Sequence, residues 1–270
     1  MNQPELYERF RDLHARPNGF VMPNAWDGVS ALLLREAGFE AIGTSSAAIA
    51  SALGRPDGRH AVSRDEHLAN AELMGRLTGL PINGDFEDGY GATPADVAAT
   101  VEAAIAGGLA GIGIEDTSGD PAHPIRDFDD AVARVRAAAR VAKGRIVLTG
   151  RTDNFLQGRP DLDDTIRRLV AFAEAGADVL YAPYPTDLAA VAAIVKAVAP
   201  KPVNLVVGTM SETVPVAELQ KLGVKRISTG VALYTRVMGA FEEAARQLAA
   251  GDLKSATAGM SFGAIKKLIG

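Results

Sequence analysis

Short apolar runs alternate along this chain with alanine-rich stretches whose apolar residues recur at helical spacing, and the alternation predicts an architecture. The apolar runs, read as strands, fall at residues 20–23, 41–45, 82–86, 111–115, 146–150, 179–182, 203–207 and 226–229. Helical patterns lie between them at 29–37, 64–77, 94–106, 128–142, 163–175, 188–198 and 216–222, with another at 232–249. Ser63, Thr93 and Asp161 stand where N-caps belong, and Gly38, Gly79, Gly108, Gly144, Gly176 and Gly223 close helices just before the next strand. Strand–helix units of this kind, with strands too apolar to have a wet face, predict a closed parallel (β/α)8 TIM barrel. A doubly wound open sheet is the alternative, but no G-x-G-x-x-G turn follows the first strand. Residues 4–16 add an amphipathic helix (Leu6, Phe10, Leu13) before the barrel, and 253–269 add one beyond its count. The last helix carries Met260, Phe262, Ile265, Leu268 and Ile269, so it is expected to pack on a partner subunit, in a homodimer or homotetramer.

Length and composition narrow the picture. A chain of 270 residues is comfortable as one barrel domain, 1–270, and no composition shift marks a second. Hydrophobic residues make up 47% and charged residues 23%, enough for a core. The net charge of -5 leaves no basic excess for nucleic acid or an anionic membrane surface. Cysteine is absent, which removes disulfides, thiolate metal sites and cysteine nucleophiles together. No apolar run approaches the ~18 residues that span a bilayer, and residues 1–17 lack a signal-peptide pattern, so a cytoplasmic protein is expected.

Candidate chemistry centres on Ile82-Asn83-Gly84-Asp85-Phe86-Glu87-Asp88-Gly89-Tyr90-Gly91, an apolar run that ends in carboxylates and breaks into a glycine loop. Residues two apart on a strand share a face, so Asp85 and Glu87 are expected to project together and to repel unless a cation lies between them. Hard oxygen ligands without Cys or His favour Mg²⁺ or Mn²⁺ over zinc. In a barrel the active site lies at the C-terminal strand ends. There the chain offers Asn24, Trp26 and Asp27; Ser45 and Ser46, with Asp57 further along; Glu115 and Asp116; Arg151 and Asp153; and Tyr181, with Asn204 inside the seventh strand.

These groups suit a metal and a 2-oxo or 2-hydroxy acid whose bond cleavage leaves an enolate. Arg151 is expected to fork a substrate carboxylate, and the backbone N–H groups of Ser45, Ser46 and Ala47 to take a further anionic oxygen. Trp26 is a candidate pocket wall and Tyr181 a candidate proton donor. Plainer readings stay open: an Arg151–Asp153 ion pair, a turn cap at Glu115–Asp116, a simple helix start at Ser45–Ser46. Lys201 and Lys225 precede strands seven and eight, so no lysine is placed for a Schiff base. After those strands only Val207-Gly208-Thr209 hints at a phosphate loop, which disfavours a sugar-phosphate enzyme.

The chain resembles the isocitrate lyase and phosphoenolpyruvate mutase superfamily in Pro23-Asn24-Ala25-Trp26-Asp27-Gly28-Val29-Ser30-Ala31, Thr44-Ser45-Ser46-Ala47-Ala48, Leu53-Gly54-Arg55-Pro56-Asp57, Gly84 to Gly91, Gly113-Ile114-Glu115-Asp116 and Thr149-Gly150-Arg151-Thr152-Asp153. The resemblance implies a Mg²⁺-dependent barrel that makes or breaks a carbon–carbon or carbon–phosphorus bond beside a 2-oxo or 2-hydroxy acid. It implies metal binding, direct or through water, by Asp57, Asp85, Glu87 and Glu115, and exchange of the last helix between subunits.

The departures from the family matter as much. The lyases' cysteine loop is missing, only 117–127 separates Glu115–Asp116 from the next helix, and Pro183 stands where a Glu or His is common. A loop-poor, Mg²⁺-dependent lyase or decarboxylase acting on a small 2-oxo or 2-hydroxy dicarboxylate is therefore expected. A phosphonopyruvate-type C–P hydrolase or mutase, and a barrel that binds an oxo acid without turning it over, are the alternatives.

Overall fold

In the computed structural model, which describes residues 1–208 and 214–270, every strand joins one parallel sheet in the order β1-β9-β8-β7-β6-β5-β4-β3-β2. Thr209 of the Val207-Gly208-Thr209 stretch lies outside the described residues. The strands are β1 (Phe20–Met22), β2 (Asn24–Ala25), β3 (Ile42–Thr44), β4 (Ile82–Asp85), β5 (Gly111–Glu115), β6 (Val147–Arg151), β7 (Val179–Tyr181), β8 (Val203–Val206) and β9 (Arg226–Ser228). β1 and β2 are one barrel strand interrupted at Pro23, which has no N–H to give a ladder. Its first half pairs with β9 and its second with β3, so the sheet closes on itself.

Asn24 fastens that closure. Its Oδ1 accepts from the N–H groups of Thr229 (3.0 Å) and Gly230 (2.9 Å), while its Nδ2 donates to the Thr44 carbonyl at 2.6 Å.

Helices α1 (Gln3–Ala15), α2 (Gly28–Glu36), α3 (Ser46–Ala52), α4 (Arg64–Thr78), α5 (Pro94–Ala106), α6 (Phe128–Ala142), α7 (Leu162–Ala175), α8 (Leu188–Val198) and α9 (Val216–Lys221) follow in chain order. Ser63, Thr93 and Asp161 cap α4, α5 and α7 as their positions predict. α3 bears out the open reading of a helix start at Ser45–Ser46, with Ser45 as its cap; its alanine-rich stretch is too short for helical spacing to show in the pattern. The main core lies between the sheet and α4 to α8, where Phe86, Ile112, Ile114, Leu148, Leu169 and Phe172 are buried. α1 closes the barrel floor, packing Phe10 and Leu13 on Phe20, Met22, Val147 and Val179.

The expected last helix is two pieces, α11 (Leu253–Ala256) and α12 (Phe262–Ile269), divided around Gly259 with Ser261 capping the second. α10 (Ala232–Ala249) follows the eighth barrel strand yet has no buried residue, and Phe241 stands 69% exposed. Among the described residues no helix is long and apolar enough to cross a membrane.

Candidate active site

β4 delivers Asp85 to the mouth of the barrel, where both the N–H and the hydroxyl of Ser46 donate to its Oδ2 at 3.0 Å. Its N–H in turn donates to Thr44 Oγ1 at 2.8 Å, so strand and carboxylate are fixed together. The strand ends there. Glu87 has φ of 47°, in the left-handed region, so alternation no longer governs it and the expectation that it projects beside Asp85 is corrected. Instead it turns toward the adjacent loops, where Tyr90 donates its hydroxyl to Oε1 at 2.9 Å and His67 Nε2 stands 3.8 Å away. Burial raises the Glu87 carboxyl above its ordinary range, although the Tyr90 hydrogen bond opposes this.

Two neighbouring cavities of about 220 Å³ and 280 Å³ share Ser46, Asp57 and Arg151 in their walls. Asp85 and Tyr181 line the first, Glu87 and Glu115 the second. Asp57, on an exposed loop, brings its carboxyl against the Ser46 side chain and is raised by burial first and by the Asp85 charge next. Glu115 is raised by its burial, with Arg151 pulling the other way.

Arg151, at the end of β6, carries the only guanidinium common to both cavities. Its fork is already filled: Nε and Nη2 donate to Asp153 at 2.5 and 2.8 Å. Sequence reasoning offered that fork to a substrate carboxylate, so the open ion-pair reading is the one the geometry supports. What remains is Nη1, 2.9 Å from Glu115 Oε2 and 3.6 Å from Asp85 Oδ1. Asp116 is structural, accepting from the Asp153 N–H at 3.0 Å and pairing with Arg168 at 3.2 Å.

A family model for phosphoenolpyruvate phosphomutase matches residues 10–249. The chain belongs to that family. An uncharacterized protein of Mycobacterium tuberculosis is 35% identical over 250 residues, 90% of each chain. The oxaloacetate decarboxylase of Paraburkholderia xenovorans is 31% identical over 258 residues, 91% of this chain and 83% of that one. A solved structure of a provisionally assigned lyase/mutase from Burkholderia cenocepacia J2315 superposes with a TM-score of 0.93 at 42% identity, covering 98% of this chain and 95% of that one.

Within this phosphomutase-family barrel, Ser45, Ser46 and Ala47 do line the first cavity, but the Ser46 N–H is spent on Asp85 and the Ser45 hydroxyl on capping the Ala48 N–H. Tyr181 lies with its ring 5.3 Å from the Arg151 guanidinium, and burial raises its phenol further above its usual value. Asn204 lines the cavity with both ends of its amide engaged, Oδ1 by Arg226 and Nδ2 by Ser228. Trp26 is outside both cavities, edge-on to Tyr234 at 5.3 Å and packed by Ile49, Ala50 and Val62, which corrects its reading as pocket wall.

Sequence reasoning missed His67 and Tyr90 beside Glu87, and Tyr184, Thr149 and Arg226 in the cavity wall. His67 is buried with neither ring nitrogen hydrogen-bonded. Its only signal is its place one turn into α4 on the face toward the glycine loop.

The donor set is all oxygen, suited to a hard divalent cation. Among the described residues no three Asp, Glu or His side chains are grouped tightly enough to ligate one ion directly. The set therefore fits a cation that binds fewer than three of these carboxylates directly and keeps several of its waters, the habit of Mg²⁺.

Proposed function

We propose that this protein is a Mg²⁺-dependent lyase or decarboxylase that cleaves a carbon–carbon bond in a small 2-oxo or 2-hydroxy carboxylic acid, with Mn²⁺ as a substitute metal. The observation that carries the reading is the convergence of Asp57, Asp85, Glu87 and Glu115 with Arg151 around two adjoining cavities. Like charges so placed ask for a cation. Bound there, Mg²⁺ supplies Lewis-acid polarisation of the oxygen beside the breaking bond.

Each side chain then has a task. Asp85, fixed by the Ser46 N–H and hydroxyl, would bind the metal directly, and Asp57, Glu87 and Glu115 would reach it through water. Arg151, braced by Asp153, turns its Nη1 edge to the substrate's anionic oxygen. Tyr181 keeps its proton well above neutral pH and is placed to give it to the carbon that loses its substituent.

The test is calorimetry with oxalate and Mg²⁺ together with a turnover screen of 2-oxo and 2-hydroxy acids. Asp85→Ala should lose metal-dependent oxalate binding by more than about 100-fold, the cost of a removed ligand. Unchanged Mg²⁺ binding and unchanged turnover in that variant would sink the assignment. A second reading, carbon–phosphorus chemistry, is favoured by the phosphomutase family model; phosphate release from a phosphonopyruvate-type compound would select it. Oxalate binding without turnover of any compound would select a binding barrel. The uncovered faces of α10 and α12 support self-association, with a second copy covering them.

A further inference from the structure

Below the metal-binding rim the barrel axis is polar, where barrels of this kind are usually filled by branched apolar side chains. Arg226, the first residue of β9, is 2% exposed and lies in that axis, where its hydrogen-bond partners among the described residues are all neutral. Its Nε donates to Asn204 Oδ1 at 2.9 Å and its Nη2 to Thr149 Oγ1 at 3.0 Å. Its Nη1 faces His14 Nε2 at 3.4 Å and Asn83 Oδ1 at 3.5 Å. His14 Nδ1–H donates to the Phe10 carbonyl at 2.8 Å, and burial first and the Arg226 charge next keep the ring neutral, so Nε2 offers a lone pair. Burial pushes the Arg226 guanidinium down to about 10, which still leaves it charged at neutral pH. No carboxylate pairs with it among the described residues.

A hydrogen count shows what the surroundings still offer. One Nη2 hydrogen of Arg226 has no protein acceptor among the described residues. The Thr149 hydroxyl accepts from Arg226 and the Ser228 hydroxyl accepts from Asn204 Nδ2 at 3.0 Å, so each keeps its own proton to give. All three residues line the cavity of about 220 Å³ that also reaches Asp85 and Arg151. Gly113 leaves the opposite wall open, since a Cβ there would meet nothing nearer than 3.8 Å. Water satisfies such hydrogen bonds, yet it leaves a buried cation unopposed.

We infer that Arg226, Thr149 and Ser228 form an inner anion subsite that takes a second carboxylate of the substrate, directed down the barrel axis. The inference rests on the oxo-acid reading above and gives the expected dicarboxylate its orientation, with the metal-facing head at the rim and the far carboxylate at the floor.

Two measurements on the full chain test it. Crystals soaked in sodium bromide should show an anomalous peak against Arg226 and Thr149. In calorimetry with Mg²⁺, Arg226→Met and Thr149→Val should each weaken malate by about tenfold or more while oxalate, which has no far carboxylate, stays within about twofold. Thr149→Val removes a single hydroxyl and keeps the test decisive if Arg226→Met does not fold. An empty bromide map at Arg226, with malate and oxalate weakening in parallel, overturns the subsite. If the unaltered protein binds neither acid, the oxo-acid reading falls, and the bromide map alone then decides whether the anion subsite exists.

Discussion

Arg151 holds Asp153 with two of its nitrogens and spends the third on Glu115, so its geometry rather than its charge is what the site depends on. A lysine has the charge without the fork. Arg151→Lys is expected to lower kcat/KM on the best substrate by about 100-fold or more, read by steady-state kinetics beside a melting curve that stays within a few degrees. Legibility at this scale followed backbone regularity. Asp85, Glu115 and Arg151 end regular strands, where inspection of strand termini finds them. Glu87 follows a left-handed residue conformation that no period predicts, and Arg226 starts a strand, at the end where catalytic groups are not sought. The Arg151–Asp153 pair was visible as a spacing, but which anion fills the fork was not.

Among the elements, α6 and α1 do more than cover the sheet. Arg134 of α6 is buried and donates to the carbonyls of Gly91 (2.9 Å) and Ala92 (2.7 Å), with Asp130 holding its Nε at 3.0 Å. It thus ties down the loop that presents Glu87. Arg134→Met leaves both carbonyls without a donor and should cost about 2–4 kcal/mol in urea unfolding, with weaker Mg²⁺ binding in the same variant.

His14 of α1 gives the chain a pH dependence. Burial first, and the Arg226 charge next, depress its pKa to about 3 from 6.5. A depressed histidine is neutral in the folded state while the unfolded chain takes up a proton, so its stability contribution is whole above pH about 6.5 and declines as pH falls toward 3. His14→Gln should flatten the dependence of unfolding free energy on pH between about 7.5 and 5 by up to about one proton, measured by urea titration at both values. Most element boundaries were legible because capping residues and glycines mark them. The short α3 showed only its start at Ser45–Ser46, and the break between α11 and α12 was hidden by an apolar pattern that continues across it.

At the scale of the whole molecule, the parallel barrel was legible from its repeating units, since each apolar run must be covered on both faces. Where α10 goes was not. Its pattern states that one face seeks burial, without saying what covers it. Phe241 and Phe262 are 69% and 70% exposed. Phe241→Glu and Phe262→Glu should shift the mass found by light scattering after size-exclusion chromatography toward the monomer, with far-ultraviolet circular dichroism unchanged.

The Asn24 clasp has a consequence for how the molecule is made. Among the described residues its acceptor oxygen is answered only by Thr229 and Gly230, 205 and 206 positions later. A nascent chain on the ribosome carries its first strand half-paired through most of synthesis, and the ring becomes a ring only when the last strand emerges. Early segments must therefore wait in an open, sticky sheet, and folding should be governed by that late, long-range step rather than by the fast local helices.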